Sequence, residues 1–580
     1  MKKKQREPNS SSPRYPGNVS KAAGQRLTTF NVGALPILER IIRRAKLEDF
    51  LRDFVVEDKR CTLSPVSGIL LLVKNYLVSR LPIYGVGDWA SHHLPELLGL
   101  KDTGVNSLND DRVGRCLDRL FDADCPALIL AITRHVVDEF HLDLSEIHND
   151  STTITFSGDY DGASEGMARG KTIMGITFGH NKDHRPDLKQ LLYNLTVTSD
   201  GTVPVAFGIE SGNVTDDQTH CGTWDLLCQI VGGPNFIYVA DSKLATHANM
   251  SHIANRGGRF VSVLPRTRRE TKFFRQQLSE DRVGWEEIKR VIDDDGLVTD
   301  AISIAKEQAA TAEGYRLLWF HSTRKVELDR KARAKAITRA FTSLGQLQLK
   351  LNSPRTRYRD KAKVEAAVAK RLSECGASQW MRVEIDAKTE DSFVQETPGR
   401  PGPNTRYRKE EKARFELVYD TNYEAVEEAE RSDGVFPLVT NEHELSAKEI
   451  LEVYKRQAQI EKRFSQLKTQ FCIAPVFLKR PHRVMSLLTV YYLALLVQAL
   501  LERELRRAMR DEGIESLPLY YEDRECRAPT TRRVIDLFQN IQRHVLEVPG
   551  NEPVQMSTEL SDIQREVLRL LRVPEGDYSA

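Results

Sequence analysis

The sequence lacks every pairing that would mark a disulfide framework or a zinc module. Its eight cysteines, Cys61, Cys116, Cys125, Cys221, Cys228, Cys375, Cys472 and Cys526, are scattered singly, with no CxxC pair and no His/Cys ladder. Reduced thiols in a cytosolic protein are expected. The chain also lacks a charge of one sign: 84 Lys+Arg against 82 Asp+Glu leave a formal net charge of +2. A whole-chain attraction to nucleic acid is thereby excluded, and any such attraction has to be local. Long apolar runs are missing too. The most apolar stretch, Ser486 to Leu501 (SLLTVYYLALLVQALL), falls about two residues short of the roughly 18 that span a bilayer and carries Gln498. It is expected to be a buried core helix, with no membrane partner. No apolar segment follows the basic, Ser/Pro-rich start MKKKQREPNSSSPRYPGN, so residues 1–26 read as a disordered basic tail and not as a secretory leader.

What is present is 580 residues of ordinary globular composition, enough for roughly two to four structural units. Residues 27–145 read as an all-α domain that could include DNA-reading helices: LPILERIIRRAKLEDFLRDFV and VSGILLLVKNYLVSR have apolar residues at three- and four-residue spacing. Asn109 and Asp110 offer an N-cap for a further amphipathic run. From Glu146 the texture changes to strands: IHNDSTTITF, KTIMGITFGH, KQLLYNLTVTSD and VPVAFGIESG are β-rich and separated by polar turns. TDDQTHCGTWDLLCQIV follows as a helix capped by Thr215 or Asp216, then the apolar strand NFIYVA stops abruptly at Asp241, and RFVSVLP is one more buried strand. This is the order of an α/β sheet whose strand ends build a site. Residues 271–432 leave the pattern. Between Arg324 and Cys375 about fifteen Lys/Arg stand against five Asp/Glu, an excess able to form a phosphate-binding surface or, more plainly, a solvated helical face. ETPGRPGPNTRYRKEEK reads as an exposed loop, and FELVYD and GVFPLVTN as strands.

Asp150, inside a β-branched run, needs compensation, because an unpaired buried acid costs several kcal/mol. Ser446 to Phe471 reads as one long helix that begins with a capping box, Ser446 and Glu449. Ile460, Phe464, Leu467 and Phe471 form its apolar stripe, and Tyr454, Gln457, Glu461 and Lys468 form a polar line beside it. Asp150, Asp241 and Glu461 are therefore candidates for a three-carboxylate cluster. Hard oxygen donors of this kind suit Mg²⁺ or Mn²⁺, and two such ions roughly 3.5 to 4 Å apart can drive in-line attack on a phosphodiester. Taken singly, each acid has a plainer reading: an Asx turn for Asp241, a surface partner of Lys468 for Glu461, a strand-edge residue for Asp150. The combination is what points to chemistry.

With these residues in place, the sequence resembles bacterial insertion-sequence transposases of the Asp-Asp-Glu type, in the branch marked by a Tyr-Arg-Glu-Lys helix. SGILLLVKNYL, SLNDDRVGRCLDRLF, IHNDSTTITFSGDY, GHNKDHRPDLKQ, ESGNVTDDQT, YVADSKLAT, DGVFPLVTN, YKRQAQIEKRFSQLK and APTTRRVIDLF carry the resemblance, in the family's order. The family spacing (Tyr, two residues, Arg, three, Glu, six, Lys) falls here on Tyr454, Gln457, Glu461 and Lys468, with glutamine in place of arginine although Arg456 and Arg463 are near. The resemblance implies a ribonuclease-H-like catalytic core interrupted by an insertion domain. Residues 146–270 would then be the first part of the core, 271–432 the insertion with its basic region, 433–510 the second part with the Glu-bearing helix, and 511–580 a C-terminal helical region. It implies catalytic, metal-holding roles for Asp150, Asp241 and Glu461 with two Mg²⁺ (or Mn²⁺) ions, and DNA contacts by Tyr454, Gln457 and Lys468. It further implies cleavage at transposon inverted repeats and strand transfer into target DNA. Double-stranded DNA would be the partner, a homodimer would form on it, and the setting would be the bacterial cytoplasm at the nucleoid. A ribonuclease-H-like nuclease and a domesticated DNA-binding protein that does not cut are the alternatives. The motif HNKDHRPD, His180 to Asp187, reads as a polar loop between strands rather than as a metal site.

Overall fold

The computed structural model describes residues 21–22, 25–57, 61–100, 108–158, 160, 163–183, 185–293, 295–307, 309–353, 356–396, 398–471 and 478–579. Of the expected tail, residues 1–26, residues 1–20, 23 and 24 lie outside them. The chain forms two compact units, residues 1–262 together with 452–580, and residues 263–451.

The first unit is built on a mixed sheet. Glu146–Phe156, the Asp150 strand, runs antiparallel to Lys189–Thr198, which in turn runs antiparallel to Pro204–Ser211. On its other side lie Ile237–Val239 and then Arg259–Val263, both parallel. Helices His220–Val231 and His247–Ala254 make the crossovers that parallel neighbours require. The Asp150 strand is buried along its length except at Asp150 and Thr155, and its interior polar groups are satisfied: Asn149 Nδ2 donates to Asn194 Oδ1 (2.8 Å) and Thr196 Oγ1 (2.9 Å). Of KTIMGITFGH, the strand Lys171–Ile173 alone is regular.

Helices cover the sheet. Leu35–Arg44, Leu47–Phe54, Pro65–Val78, Asp110–Asp122 and Cys125–Phe140 form the expected N-terminal set, and Asn109 caps its helix by accepting from the Arg112 N–H at 2.9 Å. Gly68 lets two of these helices touch, since a Cβ there would sit 2.4 Å from Cys116 Sγ. They pack around Pro481–Asp511, a 31-residue helix long and apolar enough to cross a membrane by length and composition, whose apolar window is 94% buried in the fold. It is the spindle of the core, as its uniform hydrophobicity predicts. Residues 511–580 depart from the all-helical expectation. Gln542–Glu547 pairs antiparallel with Val554–Ser557 and with Gln25–Asn31, so Gln25 and Arg26, expected in the tail, begin a strand.

The second unit holds an antiparallel sheet of Trp285–Ile292, Val298–Ala305, Arg316–Ser322 and Val435–Thr440. The helices Thr323–Leu351 and Lys361–Cys375 pack on the long hairpin Met381–Gln395 and Tyr407–Thr421 through Ala340, Leu344, Leu347, Val364, Val368 and Phe415. Of the stretch expected to be a Pro/Gly-rich loop, Tyr407 to Lys412 belong to the second strand of this hairpin. Burial of one helical face leaves Arg324, Arg330, Lys331, Lys335, Arg339, Lys350, Arg357, Arg359, Lys361, Lys363 and Lys370 exposed. Arg333 instead turns inward onto Asp433 (2.7 Å).

Candidate active site

Strand register brings the first two acids together. The last registered pair between the parallel strands is His148 opposite Val239. Two places beyond it come Asp150, still within its strand, and Asp241, just past the end of its own, near enough for the Asp241 charge to act on the Asp150 carboxyl. Asp241 lies just past its three-residue strand. Its carboxylate accepts the Lys243 N–H (2.9 Å) and its carbonyl accepts the Ser262 hydroxyl (2.7 Å), which fixes the tip. Asp150 accepts the N–H of Ser151 at 2.7 Å. Both carboxyls titrate high. Burial pushes Asp150 up to about 6, helped by repulsion from Asp241 and Asp216 and opposed by Lys182 and the Ser151 N–H. Burial likewise raises Asp241, with the Lys243 N–H and Lys182 opposing and Asp216 adding to the rise.

The third acid arrives on a broken helix. The capping box forms as expected, with Ser446 N–H donating to Glu449 (2.8 Å) and Glu449 N–H donating to Ser446 Oγ (3.3 Å). The single helix expected from Ser446 to Phe471 is instead three pieces: Ala447–Lys455, Ala458–Ser465 and a π-helical turn Gln466–Gln470. Gln457 keeps helical dihedrals at the break and the Glu461 charge still acts on Tyr454 across it, while Ile460, Phe464, Leu467 and Phe471 are buried as the apolar stripe predicts.

Tertiary bonds hold the break. Arg456 clamps Glu146 with two bonds, Nε to Oε1 at 2.6 Å and Nη2 to Oε2 at 2.5 Å. His148 lies between Glu146 Oε1 (2.7 Å) and Gln457 Oε1 (2.8 Å), and Gln457 Nε2 donates to the Asn149 carbonyl (2.8 Å). Burial would raise the Glu146 carboxyl, but the Arg456 and His148 contacts prevail and hold it below the usual carboxylate range. Gln457 is thus fastened to the Asp150 strand, and Glu461, exposed, follows one turn later. Neither nearby arginine stands in for the family's: Arg456 is taken by Glu146, and Arg463 is buried against Glu502 (2.8 Å) and the carbonyls of Gly201 and Thr202 (2.9 Å each).

Tyr454 registers all three acids. Its hydroxyl is pushed up to about 12, first by burial and then by the charges of Asp241, Asp150 and Glu461. Lys468 Nζ meets Asp183 Oδ1 at 2.6 Å. Among the described residues no three His, Cys, Asp or Glu side chains form a group that could hold a metal ion, so the expected three-carboxylate cluster is not assembled in this structure. Sequence spacing does not reveal Glu146, His148, Lys182 or Asp216. Asp216 caps no helix: its carboxylate goes to Lys182 Nζ (2.8 Å).

No curated protein matches the chain. Among solved structures, the piggyBac transposase synaptic complex with hairpin DNA is similar at 11% identity and a TM-score of 0.24, over 49% of this chain and 58% of that one. The family model of a domain of unknown function (DUF4277) matches residues 27–134. The transposase DDE domain model matches residues 144–497, which include both strand acids and Glu461. With more than half of its length covered by that model, the chain belongs to the DDE transposase family.

Proposed function

We propose that the protein is a metal-dependent DNA transposase that cleaves at its element's inverted repeats and joins the freed ends to target DNA. Asp150 and Asp241 hold the divalent metal, with Glu461 completing the set as DNA enters. The donor chemistry fits. Two hard carboxylates whose proton affinity is raised by burial and by neighbouring aspartates are relieved by a divalent cation. When bound, the metal supplies a deprotonated nucleophile and charge neutralisation at the phosphoryl group. The chain's own residues do the rest. Glu146, His148 and Gln457 position the Glu461 segment against the Asp150 strand. Lys468 and the protonated Tyr454 hydroxyl meet phosphate oxygens. Water attacks phosphorus in cleavage and the P–O3′ bond breaks; in joining, the freed 3′-hydroxyl attacks instead.

The antiparallel meander followed by two parallel strands is the strand order of a ribonuclease-H-like core, which supports the reading. The observation that carries it is the parallel register of His148 with Val239, which leads to Asp150 and Asp241 at neighbouring strand positions, where the Asp241 charge acts on Asp150 and both acids, with Glu461, act on Tyr454. The exposed basic face of the second unit supplies a surface for the DNA backbone. The test is plasmid excision of a marker flanked by the gene's own terminal repeats. Asp241→Asn should bind repeat DNA normally and excise nothing; excision at the wild-type level would remove the proposal. Joining of precut ends separates a transposase from a stand-alone nuclease.

A further inference from the structure

Lys182 lies in the loop that the sequence marks merely as polar, yet it is fixed at both ends. Its backbone N–H donates to Thr153 Oγ1 (3.1 Å). Its ammonium donates to Ser151 O and Oγ (2.7 Å each), pairs with Asp216 Oδ2 (2.8 Å) and stands 3.8 Å from Asp150 Oδ1. Ser151 and Thr153 are both on the Asp150 strand. A solvated loop lysine keeps its rotamer freedom, worth up to about 2 kcal/mol; this one has traded that freedom and part of its water for four oxygens, two of them on carboxylates. Asp216, whose side chain is 14% exposed, is the anchor. Burial would raise its carboxyl, but Lys182 keeps it low.

We infer that Lys182, held by Asp216 and Ser151, is a resident cation of the catalytic carboxylate cluster: a positioning residue that keeps Asp150 beside Asp241 and sets the charge against which the divalent metal is taken up. The inference rests on the proposed metal-holding role of the two strand acids. With Lys182 in place, Asp150, Asp241 and Asp216 sum to a formal charge matched by one divalent ion. Without it, they carry one uncompensated negative charge more.

Two substitutions should act in opposite directions. Mn²⁺ binding to the full chain, free of DNA, is followed by the electron paramagnetic resonance signal of free Mn²⁺. Lys182→Met removes a positive charge and should tighten binding about five-fold or more, whereas Asp216→Asn removes a negative one and should weaken it by a similar factor. Lys182→Arg should stay near wild type. Lys182→Met should nevertheless cleave repeat DNA poorly at saturating Mn²⁺, because Asp150 is no longer held. A merely structural role would weaken Mn²⁺ binding in both variants. Changes of one sign, or none, in proteins with wild-type circular dichroism and melting would overturn the inference. Asp150→Asn is the control for the underlying reading: if it binds Mn²⁺ as wild type does, the proposed metal site falls and this inference falls with it.

Discussion

Replacing Asp150 by asparagine should stabilise the metal-free protein while abolishing its metal response. The folded carboxyl is raised from 3.8 to about 6, roughly two units at 1.36 kcal/mol each. Its side chain is 23% exposed, so part of that is screened and about 2 kcal/mol is the working figure. The sign follows from proton binding. Between pH 4 and 6 the folded state holds a proton that the unfolded chain has released, so the stabilising contribution is present below about pH 4 and lost as pH rises through 6. Asparagine is isosteric, keeps an acceptor for the Ser151 N–H and never ionises. The variant should therefore melt a few degrees higher than wild type at pH 7.5 without metal, and the gap should close toward pH 4. Added Mg²⁺ or Mn²⁺ at about 100 times its dissociation constant should raise wild type by about 2.7 kcal/mol and leave the variant unmoved, reversing the order. Thermal unfolding followed by circular dichroism at the two pH values, with and without metal, reads all four numbers. A variant less stable than wild type at pH 7.5, or a gap independent of pH, would refute the reasoning.

Other substitutions report on the surrounding scaffold. Glu146→Gln breaks the Arg456 clamp, a charge-assisted pair worth roughly 1.5–3 kcal/mol; DNA cleavage should fall by about 100-fold as Glu461 loses its placement, with gel-shift affinity for repeat DNA almost unchanged. Glu502→Ala leaves Arg463, with a side chain 4% exposed, without its charge partner. It should cost about 3–5 kcal/mol in denaturant melts, much of it recovered in Arg463→Met/Glu502→Leu. Lys468→Ala should lower the slope of log affinity against log salt by about one. Asp183→Asn frees Lys468 from its 2.6 Å partner and should tighten DNA binding roughly two- to five-fold at low salt.

The acids are legible in sequence because each disturbs a pattern. Asp150 interrupts a buried strand, Asp241 ends an apolar one, and Glu461 lies beside an apolar stripe that does bury. The helix break is not legible. YKRQAQI contains no Pro or Gly, and what holds the bend is Arg456 on Glu146 and Gln457 on Asn149, partners about three hundred residues away. Lys182 and Asp216 escape for the same reason, since no local spacing joins a loop lysine to a turn aspartate and a strand. FELVYD is legible as part of the strand Tyr407–Thr421, but the rest of the hairpin with Met381–Gln395 is mostly solvent-exposed and has little of the apolar alternation by which strands are recognised. Strand Gln542–Glu547 is hidden because its partner, Gln25–Asn31, is at the far end of the chain.

That last pairing has a temporal consequence. Asn31 cannot meet Gln542 until the intervening five hundred or so residues have left the ribosome, roughly half a minute to two minutes of synthesis at ordinary rates. For most of that interval the N-terminal helices lack Pro481–Asp511, the surface they pack on. Asp150 waits likewise for Glu461. On the proposed reading a nascent chain is therefore unarmed, and one terminated before Glu461 stays so.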